Sequence, residues 1–372
     1  MTLYIGLMSG TSLDGIDVVL IDFASPLGPP VTLRAHAHRH FHAPLRAELL
    51  ALNKPGDNEL QRCELAANAL ARTHADVVSD LLRSASVDAH DVRAIGAHGQ
   101  TVRHRPGEFD GSGFTTQLLN GALLAELAGI DVVADFRSRD VAAGGQGAPL
   151  APGLHAALFA VPGQSRAVLN LGGIANLTVL GAAGGVLGFD CGPANALLDG
   201  WCQRHRGLAF DDNGRWAASG RVIALLLSVM LAEPYFALAP PKSTGRDLFD
   251  MGWLDAHLLR HAKSAAPVDV QATLAALTVQ SVARDMTRHA SDALLLLVCG
   301  GGARNAHVMQ GLAAAMPSVR VDTTASLGLP VDQVEGAAFA WLAHRFVERA
   351  PGNIVAVTGA RGPRVLGALY PA

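Results

Sequence analysis

A turn of small residues near the start of the chain has the composition of an anion-binding loop. An apolar run ends at Ser9-Gly10-Thr11-Ser12, and a second apolar run begins at Ile16, directly after Gly15. Small residues between two strands let backbone N–H groups and hydroxyls surround an anion, because no Cβ stands in the way. Asp14 and Asp17 lie beside this turn, where a carboxylate can hold Mg²⁺ through water. The same stretch is also typical of an ordinary Gly-rich hairpin.

Asp190 is a candidate general base. A second strand–turn–strand pattern spans residues 167–180, with Gly172-Gly173 at its turn, and the next predicted strand, Val186–Phe189, ends at Asp190. Partial burial at such a strand end raises the pKa of a carboxyl group towards neutrality, which suits a general base. An aspartate before Gly-Pro can instead cap the helix that follows. The residues alone leave both roles open.

Two arginines follow another predicted strand. The strand 131–136 leads into Arg137 and Arg139, and a Gly-rich turn comes next. A guanidinium can grip a carboxylate or a phosphate with two parallel hydrogen bonds, so this loop is a candidate anion-recognition site. A surface ion pair with Asp135 or Asp140 explains the same residues equally well.

A Gly triplet and an early helix carboxylate are weaker signals. Gly300-Gly301-Gly302 follows an apolar strand and precedes Asn305, and three glycines let a planar base or a phosphate approach the backbone closely. Glu335 lies near the start of a predicted apolar helix over 332–347. A carboxylate there is usually stabilised by the helix dipole, so a functional role for Glu335 needs independent support.

Other polar turns complete the set of candidates. The predicted strand 92–96 ends at Ala97-His98-Gly99-Gln100-Thr101, and ligands of α/β folds often bind at strand ends. The turn Asp211-Asp212-Asn213-Gly214 and the basic loop 240–247 receive no specific role. Histidines at alternate positions from His36 to His42 share one strand face, where solvated side chains are favoured over a metal site.

Composition predicts a globular protein of two domains. The chain has 372 residues, of which 50% are hydrophobic and 16% charged, so it can bury sizeable cores. A net charge of −3 provides no basic field for nucleic acid or an anionic membrane. Four cysteines without a CxxC pair fit reduced thiols. With no signal-like N-terminus and no apolar stretch of membrane-spanning length, we expect a soluble cytoplasmic protein without a nucleic-acid or membrane partner.

The order of predicted elements favours an α/β architecture of two lobes. We place the first lobe at residues 1–133 and the second at 134–372. The sequence lacks the GxxxxGK[ST] motif of P-loop proteins, the GxGxxG fingerprint of dinucleotide-binding folds and the GxSxG nucleophile elbow. Two strand–Gly–strand units remain, and facing units of this kind can hold the phosphates of one nucleotide, as in the actin, hexokinase and Hsp70 superfamily.

Eight motifs give the chain an end-to-end resemblance to one family within that superfamily. In order, they resemble the motifs of the anhydro-N-acetylmuramic acid kinases. They are GLMSGTSLDGID (6–17), AIGAHGQTVRH (94–104), DFRSRDVAAGGQGAPL (135–150), LNLGGIANLT (169–178), GFDCGPAN (188–195), PPKSTGRDLFD (240–250), CGGGARN (299–305) and LPVDQVEGAAFAWLA (329–343).

The resemblance implies both a fold and a reaction. The fold would be the two-lobed actin/hexokinase-like, ribonuclease H-like α/β fold, with a duplicated strand–turn–strand phosphate-binding core. The enzyme would use ATP and Mg²⁺ to open the 1,6-anhydro ring of anhydro-N-acetylmuramic acid with water and phosphorylate O6, in bacterial cell-wall recycling. A homodimer that closes around its ligands is expected. The alternatives are a kinase for an ordinary hexose or amino sugar and a nucleotide-dependent switch without chemistry.

The resemblance also implies roles for individual residues. Asp190 would be the base, and Asp14 or Asp17 would lie near the metal. The nucleotide-binding residues would be Gly10, Thr11, Ser12, Leu13, Asp14, Gly15 and Asp17 at the first phosphate loop, Gly172 and Gly173 at the second, and Gly300, Gly301, Gly302 and Asn305 by the adenosine. The sugar-binding candidates are Ser9, His98, Gln100, Glu335 and either Arg137 or Arg139 for the lactyl carboxylate.

Overall fold

The computed structural model describes residues 2–10, 13, 15–23, 31–245 and 248–372. Contacts divide the chain into two compact units, one of Met1–Leu158 with Gln333–Ala372 and one of Phe159–Asp332. This division differs from the expected ranges 1–133 and 134–372. The strand at Val132–Ala134 belongs to the first sheet, and the chain after it stays in the first unit as far as Leu158. The C-terminal segment from Gln333 also belongs to the first unit.

Strands and helices alternate along the chain. The first unit begins with β1 (Leu3–Met8), β2 (Gly15–Asp22), β3 (Thr32–His40), α1 (Ala43–Ala51), α2 (Glu59–Ala85), β4 (Val92–Ala97), β5 (Gln100–Pro106), β6 (Gly113–Leu118), α3 (Gly121–Ala128), β7 (Val132–Ala134), α4 (Ser138–Ala142) and α5 (Ala151–Phe159). The second unit contains β8 (Arg166–Leu171), β9 (Ile174–Leu180), β10 (Val186–Pro193), α6 (Asn195–Arg206), α7 (Arg215–Ala218), α8 (Ala224–Met230), α9 (Met251–His261), α10 (Pro267–His289), β11 (Leu295–Cys299), α11 (Ala306–Ala315) and β12 (Arg320–Thr323). The chain then returns to the first unit with α12 (Val334–Val347), α13 (Val355–Thr358) and β13 (Ala368–Tyr370). Short 3₁₀ turns occupy Ala89–Asp91, Asp212–Gly214, Pro234–Ala237, Gly301–Arg304 and Thr324–Leu327.

The two large sheets share one topology. The first has the order β13-β7-β4-β1-β2-β3 and the second the order β10-β9-β8-β11-β12. In each, three consecutive antiparallel strands are followed by two strands that run parallel to the first of them, β4 and β7 in the first sheet and β11 and β12 in the second. The first sheet has β13 in addition, which is antiparallel to β7. The duplicated strand–turn–strand core is therefore confirmed, because β1–β2 and β8–β9 are equivalent hairpins.

The core of the first unit follows the apolar pattern of its strands. All six residues of β1 are buried, and α2 buries Leu70, Val77 and Leu81 on one face, as its helical spacing predicts. Helix α12 lies so close to β1 that a Cβ on Gly6 would stand 1.9 Å from the carbonyl oxygen of Gly336. This approach fixes the first turn of α12, which carries Glu335, near the end of β1.

The second unit surrounds α10. Between Val270 and Met286 this helix is buried around most of its circumference by the second sheet and the neighbouring helices, and β11 buries Leu296 to Cys299. Strand β10 is irregular between Asp190 and Gly192. Such a bulge re-aims the side chain beside it. None of the described helices is both long and apolar enough to cross a bilayer.

Candidate functional site

The carboxylate of Asp190 is held at the bulge of β10 by three hydrogen bonds from two segments, β9 and the loop at residues 243–244. Its Oδ1 accepts a hydrogen bond from Asn176 Nδ2 on β9 at 2.8 Å. Its Oδ2 accepts from Ser243 Oγ at 3.1 Å and from the backbone N–H of Thr244 at 3.0 Å. Helix α6 begins at Asn195 without a side-chain cap, so the helix-capping alternative for Asp190 is wrong.

The environment of Asp190 suits a base. Burial raises the pKa of this carboxyl group above its ordinary value, whereas the bonds from Asn176, Thr244 and Ser243 and the positive charge of Lys242 act in the opposite direction. The carboxylate is thereby fixed in orientation while its affinity for a proton is increased. Sequence reasoning did not find Ser243 and Thr244, since they lie more than fifty residues further along the chain.

The turn Gly172-Gly173 joins β8 to β9 and is tied to the start of α6. The backbone N–H of Asn195 donates to the Gly172 carbonyl at 3.0 Å, and that of Ala194 donates to the Gly173 carbonyl at 3.0 Å. A Cβ at Gly172 would meet no atom nearer than 3.7 Å, and one at Gly173 none nearer than 3.6 Å. Neither glycine has a positive φ. The described neighbours therefore leave room for a side chain, and a ligand that approaches the backbone closely would explain both glycines.

The three glycines at positions 300–302 differ in whether packing within the protein requires a glycine. Gly300 has a φ of +77°, and a Cβ there would stand 2.3 Å from Asn170 Oδ1. A Cβ on Gly302 would stand 2.5 Å from Leu171 Cβ. Packing against the end of β8 thus requires these two glycines. Gly301 is exposed, and a Cβ there would be 3.8 Å from Asn195 Nδ2, so it remains open to a ligand.

Gly301 and Gly302 line a cleft in the second unit together with Asn305. The cleft has a volume of about 390 Å³, within the range of small-molecule sites. Asn305 also caps α11, because its Oδ1 accepts from the backbone N–H of Val308 at 3.1 Å. The sequence analysis gave the other lining residues no role, although it identified a polar turn at residues 211–214 that contains three of them. They are Asn195, Leu198, Asp199, Phe210, Asp211, Asp212, Asn213, Arg304 and Asp332.

Polar residues of the first unit gather at the ends of β1 and β4. Ser9 is buried, and its Oγ donates to the Gly99 carbonyl at 2.9 Å. Gln100 is also buried, and its Nε2 donates to the Gly10 carbonyl at 3.2 Å. These bonds connect the predicted phosphate turn to the predicted sugar-binding turn within one unit.

Arg137 lies beside His98. Its Nε donates to His98 Nε2 at 3.2 Å, and its Nη1 donates to the Gly147 carbonyl at 2.8 Å. Burial and the charge of Arg137 lower the pKa of His98 to about 3, so the imidazole is neutral and can accept. Burial lowers the pKa of Arg137 to about 10, opposed by the negative charges of Glu335 and Asp140, so the guanidinium stays protonated at neutral pH.

The two arginines therefore differ. Arg139 is exposed on α4, whereas Arg137 lies with His98 and within the electrostatic reach of Glu335. Neither arginine forms the surface ion pair with Asp135 or Asp140 that the sequence allowed, as far as the described residues show. Glu335 itself is exposed in the first turn of α12, so it can contact a ligand.

A cavity of about 240 Å³ opens next to His98. Sequence reasoning missed most of its lining, although the polar strand β6 provided a signal. Ser138 Oγ donates to Asp135 Oδ1 at 2.5 Å at its edge. The remaining lining residues are Thr115, Thr116, Gln117, Leu119, Ala134 and Tyr370.

The first of the predicted phosphate turns is described only in part. Thr11, Ser12 and Asp14 lie outside the described residues. Leu13 is buried with a φ of +57°, and its N–H donates to the Gly10 carbonyl at 3.2 Å. Gly15 begins β2, where a Cβ would stand 2.3 Å from the Arg39 carbonyl oxygen, so packing against β3 already requires this glycine.

Asp17 lies on β2 at the end that borders the turn. Its Oδ1 is 2.8 Å from His38 Nδ1 on β3, and its side chain is 40% exposed. His36, His38 and His40 are all exposed on one face of β3, as their alternation predicts.

Comparisons with known proteins agree with these features. A model of the family described as anhydro-N-acetylmuramic acid kinase matches residues 2–372. A protein of that name from Cupriavidus metallidurans is 59% identical over 99% of this chain and 97% of its own length. Another of that name from Variovorax paradoxus is 60% identical over 100% of this chain and 99% of its own length.

The fold has a solved counterpart. The (R)-2-hydroxyglutaryl-CoA dehydratase component A of Acidaminococcus fermentans is similar with a TM-score of 0.50 and 13% identity, over 91% of this chain and 96% of that one. Together with the duplicated sheet topology, this likeness confirms the actin/hexokinase-like fold class. The family match spans nearly the whole chain, and the chain belongs to the anhydro-N-acetylmuramic acid kinase family.

Proposed function

We propose that this protein is an ATP-dependent kinase that opens the 1,6-anhydro ring of anhydro-N-acetylmuramic acid and phosphorylates O6. The product is N-acetylmuramic acid 6-phosphate, and the role is cell-wall recycling. The observation that carries the mechanism is the Asp190 carboxylate, which three hydrogen bonds orient and burial makes more basic.

One carboxylate can serve both parts of the reaction. Asp190 removes a proton from water as the water oxygen attacks C1 of the sugar. The C1–O6 bond breaks, and the released O6 attacks the γ-phosphorus of ATP, with ADP as the leaving group. The protein has little other covalent chemistry to perform, because phosphoryl transfer depends chiefly on positioning and on neutralisation of charge.

The nucleotide would bind to the second unit. Gly172 and Gly173 have free space above the backbone, where phosphates can approach the N–H groups. The cleft beside Gly301, Gly302 and Asn305 is large enough for part of an adenosine. Phe210 lines this cleft and is exposed, so its ring is available to a planar base.

The donor groups near the first turn fit Mg²⁺. The partly exposed Asp17 carboxylate supplies the hard oxygen that Mg²⁺ prefers, and Mg²⁺ sites in kinases commonly use only one or two carboxylates. Asp17 would hold the ion through water, with Asp14 as the other candidate. When bound, the ion would reduce the negative charge of the phosphates.

The sugar would bind to polar groups of the first unit. Arg137 is the better candidate for the lactyl carboxylate, because His98 and the Gly147 carbonyl fix the direction of its guanidinium. Glu335 would accept from sugar hydroxyls, and Ser9 and Gln100 would shape the turn beside them. The cavity next to His98 offers Thr115 and Gln117 as further polar contacts.

We also infer a homodimer in the cytoplasm. Size-exclusion chromatography with light scattering tests the first point, since a monomer at micromolar concentration would contradict it.

Mass spectrometry of products tests the proposed function. The protein is incubated with Mg-ATP and either anhydro-N-acetylmuramic acid, N-acetylglucosamine or glucose. Phosphorylation of the anhydro sugar alone supports the proposal. Phosphorylation only of a plain sugar would instead favour a kinase for an ordinary hexose or amino sugar.

A further inference from the structure

We propose that Lys242 and Asp285 form a positioning pair that holds the loop on which the Asp190 carboxylate depends. The inference rests on the proposed function, in which Asp190 is the base. Neither Lys242 nor Asp285 would touch the substrate, so the pair would act through the loop.

The pair is fully withdrawn from water. Lys242 Nζ lies 2.9 Å from Asp285 Oδ2 and 3.2 Å from Asp285 Oδ1, and the two side chains are 1% and 3% exposed. Every other ion pair among the described residues has at least one side chain that is 33% exposed or more. The ammonium also lies 5.5 Å from the ring centre of Phe189 and 5.2 Å from that of Tyr235, so two aromatic faces accompany its charge.

Lys242 is connected directly to the Asp190 carboxylate through the backbone. The Lys242 carbonyl accepts from the backbone N–H of Asp190 at 3.1 Å. The next two residues, Ser243 and Thr244, donate to Asp190 Oδ2. Asp285 lies on α10, so the ion pair ties this loop to the central helix of the unit.

Tyr235 closes the arrangement from another side. Its hydroxyl donates to the Asp190 carbonyl at 2.8 Å, and its ring lies against the Lys242 ammonium. Displacement of Lys242 would therefore disturb the bulge of β10 in two ways, through the loop at residues 242–244 and through the ring of Tyr235.

Stability alone does not account for a pair of this kind. Desolvation of two charges costs several kcal/mol, and well-packed apolar residues of similar size are often as stable or more stable. Removal of one partner, in contrast, leaves a buried charge and destabilises strongly. A comparison of single and double replacements can thus separate positioning from stability.

The charged and titratable groups that face Asp190 define the expected pH effect. They are Lys242 on the loop, Tyr235 and the neighbouring Cys191, and Asp285 on α10 neutralises the charge of Lys242. Burial is the main influence on the pKa of Asp190 and raises it, while the Lys242 charge lowers it. Loss of that charge should therefore move the acid limb of the pH profile to higher pH.

The test compares Lys242→Met, Asp285→Leu and the double variant with the wild-type enzyme. Thermal unfolding, kcat, the KM for ATP and the pH profile of kcat/KM are measured for each. Val282→Ala, a buried change on α10, serves as the destabilising control. Lys242→Gln with Asp285→Asn replaces the double variant if that variant does not fold.

A positioning role predicts that the double variant regains wild-type thermal stability but keeps a kcat lower by about 10²-fold, the scale of a misplaced catalytic group. The KM for ATP should change little. The acid limb should lie at higher pH in Lys242→Met, where only the positive charge is lost. In the double variant the negative charge of Asp285 is lost as well, so its acid limb should stay nearer to that of the wild type. The Val282→Ala control should unfold at lower temperature with the wild-type acid limb.

Wild-type kcat in the stable double variant would overturn the inference and leave the proposed function intact. A wild-type enzyme that does not phosphorylate anhydro-N-acetylmuramic acid would remove the proposed function, and this inference with it.

Discussion

Each large sheet has a pair of polar residues at the same place, opposite one another on its second and third strands. The aspartate of the pair is on the second strand in the first sheet and on the third strand in the second sheet. In the first unit, the third residue of the second strand is Asp17, which pairs in register with His38 on the third strand. In the second unit, the third residue of the second strand is Asn176, which pairs with Asp190 on the third strand. The side chains of each pair meet at 2.8 Å.

Surroundings distinguish these two pairs more than geometry does. Asp17 is 40% exposed beside an exposed histidine. Asp190 is enclosed by β9, the loop at Ser243 and the Lys242–Asp285 pair, and its pKa is raised by burial. One topology thus supplies a solvent-facing carboxylate suited to a hydrated cation and an enclosed carboxylate suited to proton transfer.

Exchange of each acid for its amide should separate the roles most strongly. Asp190→Asn should lower kcat by about 10²- to 10⁴-fold, the usual contribution of a general base, and leave ATP binding nearly unchanged. Asp17→Asn should instead raise the Mg²⁺ concentration needed for half-maximal rate. Steady-state kinetics and calorimetric titration with ATP check both. Retained activity in Asp190→Asn would remove that residue as the base.

The pH profile sharpens the same contrast. As the proposed base, Asp190 would have to be deprotonated to act, so kcat/KM should rise with pH through its pKa and fall about tenfold per pH unit below it. Because burial raises that pKa, the midpoint should lie above the ordinary aspartate value. Asp17→Asn should leave this limb in place. If the acid limb moved in Asp17→Asn but not in Lys242→Met, the titration would belong to Asp17, and its assignment to Asp190 would be contradicted.

The glycines of the second unit allow a matched test of ligand approach against packing. Gly173→Ala has room within the protein, so it should raise the KM for ATP by about tenfold without lowering thermal stability. Gly302→Ala would crowd Leu171, so it should destabilise the fold by about 1–3 kcal/mol. Differential scanning fluorimetry and ATP kinetics separate these effects. Equal destabilisation by both would contradict the distinction.

Replacement of the two arginines should have a smaller effect on catalysis than replacement of Asp190. Arg137→Lys removes a fixed, bidentate donor and should raise the KM for anhydro-N-acetylmuramic acid by about 10- to 100-fold, as expected for one or two charge-assisted bonds. Arg139→Lys is the matched control, because this side chain is exposed on α4. A larger change in Arg139→Lys would reverse the assignment of the lactyl carboxylate.

Much of the fold could be predicted from local pattern. The predicted strand 92–96 corresponds to β4 at Val92–Ala97, the predicted helix 332–347 to α12 at Val334–Val347, and the apolar segments around Gly172-Gly173 form the predicted hairpin. Regular periodicity reports which face of an element is buried, and that information is local. The return of α12 and β13 to the first unit is not local, so the expected boundary at 133/134 differs from the observed units.

Residues of the candidate site could be predicted from the sequence only where they belong to a short motif of unusual composition. Asp190 and the glycine turns stand out by type and position. Ser243, Thr244 and Lys242 come from a loop whose composition is basic and small, and only the tertiary fold brings them to Asp190. Likewise, nothing in sequence spacing distinguishes Arg137 from Arg139, whereas burial beside His98 does.

The most direct test of the proposed reaction is the origin of the oxygen on C1 of the product. The protein is incubated with Mg-ATP and anhydro-N-acetylmuramic acid in ¹⁸O-labelled water, quenched early and compared with preformed product that reports anomeric exchange. Coupled ring opening and phosphorylation should give a phosphorylated sugar that carries one solvent ¹⁸O beyond that exchange. A phosphorylated product without solvent oxygen would contradict coupled ring opening by water and the role of Asp190 as its base.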